Sequence, residues 1–130
     1  MATFILNKLI RDKLRVEYDR LNQIAVYRNL TKPQFAEALK QKLIEEVNEI
    51  DLTDRQSIVS EVADVFQVLE DLLVANDISL EEVTTAKLAK FHKKGGFAEA
   101  TYIETLGLAD DDEWNEYYRK YPELYLEINE

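Results

Sequence analysis

The sequence contains no cysteine. That absence excludes disulfides, thiolate zinc sites, iron–sulfur clusters and cysteine nucleophiles. A single histidine, His92, excludes any multi-histidine metal site. Glycine and proline number only 3 and 2 in 130 residues, where average usage would give about three times as many. Sandwiches and barrels need many turns, so this scarcity predicts an all-α protein. No apolar run approaches the roughly 18 residues of a membrane span, and no membrane partner is expected. The opening stretch from Met1 to Leu6 is short for a secretory signal and has no basic lead, so a cytoplasmic protein is expected.

What is present is apolar enough, at 46%, to build one core. Acids outnumber Lys and Arg by 26 to 16, for a net charge of −10. Residues 105–130 hold 8 of the acids and 2 of the bases, more than half the excess. Two short stretches run the other way. Residues 7–15 carry Lys8, Arg11, Lys13 and Arg15 against Asp12, and residues 87–94 carry Lys87, Lys90, Lys93 and Lys94 with no acid. So acidic a chain is not expected to bind duplex nucleic acid through a broad positive face. Small basic patches beside carboxylates suit a small polyphosphate with a divalent cation, or are solvated helix faces.

Apolar spacing divides the chain into helices. Leu9, Ile10, Leu14, Tyr18, Leu21 and Ile24 predict one helix over residues 6–24. Thr31, followed by Lys32 and Pro33, reads as a helix start. The helix that follows, over residues 34–50, carries the stripe Ala36, Leu39, Leu43, Val47 and Ile50. The next, from residue 56 or 57 to 75, is apolar over more than half its circumference and should be buried on most sides. Ser79 and Glu82 form a capping-box pattern for a helix over residues 80–93, which Gly95 and Gly96 stop. Residues 97–106 read as extended or as a short turn. The acidic tail is rich in aromatic residues (Trp114, Tyr117, Tyr118, Tyr121, Tyr125) and predicts one or two short helices, packed on the domain or on a second copy.

Two acidic motifs lie on adjacent predicted helices: Glu45-Glu46-Val47-Asn48-Glu49 and Glu61-Val62-Ala63-Asp64. At about 100° per residue, Glu46 and Glu49 flank the first helix's stripe on one side, and Glu45 points away. Glu61 shares a row with Val65, Val68 and Leu72, where a bare carboxylate faces steep desolvation. Facing acids repel, and a hard cation bound by oxygens alone, Mg²⁺ or Mn²⁺, resolves the repulsion. The alternative is solvated helix acids, with Glu61 paired to an Arg or Lys.

The order and spacing of Glu45-Glu46-x-x-Glu49 and Glu61-x-x-Asp64 resemble the signature of the all-α nucleoside triphosphate pyrophosphatases, the MazG-like superfamily. The stretch from Asn7 to Leu14 and the run Lys93-Lys94-Gly95-Gly96-Phe97 resemble motifs of its small phosphoribosyl-ATP pyrophosphohydrolase-like subfamily. Arg15 stands where that subfamily usually has Pro, and Lys94 where it often has Arg. The resemblance covers about residues 5–104 and assigns residues 1–104 to the domain, with 105–130 as an extension. It implies a four-helix-bundle core and Mg²⁺-dependent cleavage between the α and β phosphates of a nucleotide.

Carried onto this sequence, the resemblance implies that Glu46, Glu49, Glu61 and Asp64 are the metal ligands and catalytic acids, with Glu45 matching the motif. Lys8, Arg11, Lys13, Lys90 and Lys94 become the residues that grip phosphate. The expected products are a nucleoside monophosphate and pyrophosphate, in a housecleaning role on non-standard nucleotides. Phosphoribosyl-ATP is the alternative substrate. A rival of another class is a non-catalytic acidic helical protein that binds a basic partner. An apolar helix in so small a domain also predicts a homodimer.

Overall fold

A computed structural model of the chain describes residues 1–128. Those residues form helices and no strand: α1 (Leu14–Arg20), α2 (Lys32–Asn48), α3 (Arg55–Ala75), α4 (Leu80–Lys94) and α5 (Trp114–Arg119). The chain divides into two compact units, Met1–Lys94 and Gly95–Glu130.

The long helices begin where local chemistry says they should. Thr31 Oγ1 accepts from Gln34 N at 3.3 Å, and Gln34 Oε1 accepts from Thr31 N at 3.0 Å, a complete capping box that encloses Pro33. Asp54 caps α3 by accepting from Gln56 N at 3.0 Å. Ser79 and Glu82 cap α4 reciprocally, at 3.1 and 2.9 Å. Gly95, at φ 78°, then takes the left-handed conformation that ends it.

Residues 6–24 do not form the single helix that their spacing predicts. Only Leu14–Arg20 is helical. Asn7 stands at φ 46° and interrupts the backbone ahead of it. Beyond it, Asn22 at φ 56° closes a Schellman cap, with Gln23 N donating to Tyr18 O at 2.9 Å and Asn22 N to Asp19 O at 3.1 Å. Asp77 ends α3 in the same way.

In the first unit α2 and α3 are the helices that pack broadly together. Residues 49–54 join them as a helical hairpin, tightened by Asp51 Oδ1, which accepts from Thr53 N and Oγ1 at 3.0 and 2.7 Å. The face that α2 presents is rotated from its apolar stripe. Leu39 and Glu46 are buried and Lys42 and Leu43 half-buried, while Val47 lies exposed. On α3 the row Glu61, Val65, Val68 and Leu72 is turned inward, with Val68 buried. Its outer face, including Val59 and Phe66, is exposed, so α3 is covered on one side and not on most. Leu39 and Val68 are the buried apolar side chains among the described residues.

In the second unit Asn115 Nδ2 ties α5 back to Ala109 O at 2.7 Å, and Arg119 pairs with Glu127 at 2.6 Å. Tyr117, Tyr118, Tyr121, Tyr125 and Trp114 pack ring against ring, with Tyr118 and Tyr125 at 4.9 Å and edge-on.

Candidate metal centre

The α2–α3 hairpin brings acids from both motifs together. Glu46, Glu61 and Asp64 each offer a carboxylate oxygen, and these atoms lie within 4.8 Å of one another. Glu46 is only 7% exposed. Its Oε2 and the Oε2 of Glu61 are buried with no hydrogen-bond partner. Two unpartnered carboxylate oxygens in one buried place are costly unless a proton or a cation lies between them.

Electrostatics carry the same mark. Burial, followed by the charges of Glu49, Asp64 and Glu46, pushes the Glu61 carboxyl above its ordinary value. Glu45 behaves oppositely. Burial alone would raise it, but hydrogen bonds from Lys8 and Lys42 prevail and hold it below the ordinary value. Lys8 is raised in turn, chiefly by that hydrogen bond.

The other residues expected at the site are distributed unevenly. Glu49 is exposed and outside the converging three, yet near enough to act on Glu61. Lys8 Nζ donates to Glu45 Oε1 at 3.0 Å, and Arg11 Nη2 donates to Asp64 Oδ1 at 2.5 Å. Both basic residues therefore sit on the acidic motifs. Lys13, Lys90 and Lys94 are exposed and make no side-chain hydrogen bond or ion pair among the described residues.

Lys42 was not singled out by sequence reasoning. Its ammonium lies 3.3 Å from Glu45 and 3.4 Å from Glu46, with its side chain 17% exposed. The available signal was its spacing: Lys42 precedes Glu45 by three residues and Glu46 by four, both helical-neighbour distances.

The donor set fits a hard divalent cation. It consists of carboxylate oxygens alone, two of them buried and unsatisfied, on two helices locked by the hairpin. Comparison with known proteins finds no matching family model, curated protein or solved structure.

Proposed function

We propose that the chain is a Mg²⁺- or Mn²⁺-dependent nucleoside triphosphate pyrophosphohydrolase that cleaves between the α and β phosphates. The observation that carries this reading is the convergence of Glu46, Glu61 and Asp64 with two buried, unpartnered oxygens. The resemblance of the two acidic motifs to the MazG-like signature supplies the reaction.

Glu46, Glu61 and Asp64 hold the cation in this reading. When bound, it supplies Lewis-acid polarisation of a phosphoryl oxygen. Glu49, exposed beside the cluster, accepts the proton of the attacking water at its carboxylate. The water oxygen forms a bond to the α phosphorus. The bond from that phosphorus to the bridging oxygen breaks, and pyrophosphate leaves with the electron pair. Lys42 and Lys8 stand where cationic charge would offset that of the phosphates. Lys94, Lys90 and Lys13 belong to the phosphate grip by resemblance alone.

The same reading includes a four-helix bundle made of two copies. The α2–α3 hairpin is half of such a bundle, and the apolar side of α3 that carries Val59 and Phe66 is free to meet its counterpart around a two-fold axis. No helix among the described residues is long and apolar enough to cross a membrane, in keeping with a cytoplasmic enzyme of this kind.

The test is pyrophosphate release from a panel of standard, deoxy and modified nucleoside triphosphates, with Mg²⁺ or Mn²⁺ and with chelator. Metal-dependent release from at least one nucleotide is expected. Silence throughout, with no thermal shift on adding metal, would favour the non-catalytic interaction protein.

A further inference from the structure

The N-terminal arm reaches the acidic cluster from outside both helices. Lys8 holds Glu45 of α2, and Arg11 holds Asp64 of α3. Between them only Leu9 and Ile10 are half-buried, and the preceding Phe4, Ile5 and Leu6 are exposed, so little packing fixes the arm. The Arg11 side chain is 58% exposed and that of Asp64 31%, and an ion pair so open to solvent is weak. Asp64 is nevertheless one of the three carboxylates that converge. The guanidinium thus neutralises the solvent side of the cluster, while the buried side, at Glu46 and Glu61, keeps two oxygens without a donor.

We infer that Arg11 is the resident counter-cation of this cluster and is exchanged for a divalent cation, which frees its guanidinium for a phosphate group. The inference rests on the metal reading above. A divalent cation satisfies the buried oxygens, which Arg11 leaves unpaired, and it repels a guanidinium at the same carboxylate. Released from Asp64, Arg11 presents a planar fork of donors suited to bidentate contact with phosphate. The cation and Arg11 therefore compete, and the phosphate grip is armed by metal.

The test compares Mn²⁺ binding, read from the electron paramagnetic resonance signal of free Mn²⁺, in the wild-type chain, Arg11→Gln and Arg55→Gln. Arg55 is an exposed first residue of α3, nine residues from Asp64 and thus about 13 Å along the helix, beyond the screening length at physiological salt. Arg11→Gln should bind Mn²⁺ about two- to fivefold more tightly than wild type, the scale of an exposed pair. Arg55→Gln should match wild type. In the wild-type chain, Mg²⁺ should shift the ¹⁵N side-chain resonances of Arg11 toward those of a free guanidinium. Equal or weaker Mn²⁺ binding by Arg11→Gln, or an Arg11 signal unchanged at saturating Mg²⁺, would overturn the exchange and leave the metal site standing. Absence of Mn²⁺ binding in both the wild-type chain and Arg11→Gln would overturn both.

Discussion

Glu46 of α2 and Glu61 of α3 meet across the hairpin with carboxylate oxygens within 4.8 Å, and neither buried Oε2 has a donor. Without a cation, this pairing opposes folding. Glu61→Gln should therefore raise the melting temperature of the metal-free protein by a few degrees and abolish its response to Mn²⁺. Differential scanning calorimetry with and without metal checks both parts. A variant less stable than wild type without metal would contradict the account.

The pH dependence follows from the sign of the same shift. Glu61 has a folded-state value above its ordinary 4.5, so between 4.5 and that raised value the folded chain holds a proton that the unfolded chain has lost. Its contribution to stability is therefore fully present below pH 4.5 and is lost as pH rises through the folded value. Glu45 is lowered, and its contribution is present above 4.5 and lost as pH falls through its folded value. Metal competes with the Glu61 proton, so Mn²⁺ affinity should fall on acidification through that raised value. Titration calorimetry in two buffers of different ionisation enthalpy should detect the proton released.

Leu39 is 4% exposed at the α2–α3 contact. Leu39→Ala should destabilise the protein by about 2–5 kcal/mol, as measured by urea denaturation. Thr31→Ala, which removes the α2 capping box, should cost about 1 kcal/mol by the same measurement.

Phe66 is 63% exposed in the single chain, where a polar replacement should change stability by less than about 0.5 kcal/mol. If a second copy covers α3, Phe66→Ser should instead convert dimer to monomer in sedimentation and make melting depend on protein concentration. A wild-type chain that sediments as a monomer would contradict the two-copy bundle.

The features legible in the sequence are those set by neighbouring residues. The helix start at Thr31, the box at Ser79–Glu82 and the stop at Gly95 need only local hydrogen bonds, and they stand where expected. The inward row of Glu61 with Val65, Val68 and Leu72 was also readable, because it follows from helical period alone. The rotation of α2 that buries Glu46 and exposes Val47 was not readable, because the partner helix sets it. Lys42 differs: it stands three and four residues before Glu45 and Glu46, so its place beside them was legible in the helical spacing. The break before α1 reflects Asn7 at positive φ and two long-range ion pairs, Lys8 with Glu45 and Arg11 with Asp64, which periodicity does not encode.

The most direct test of the central claim is ³¹P nuclear magnetic resonance of a nucleoside triphosphate that the protein turns over, in ¹⁸O-enriched water with Mg²⁺. Monophosphate and pyrophosphate should form in equal amounts, with ¹⁸O on one product only, no reaction with chelator, and a loss of roughly 100-fold or more in Glu61→Gln. Release of inorganic phosphate from the γ position, or turnover undiminished by chelator and by Glu61→Gln, would contradict it.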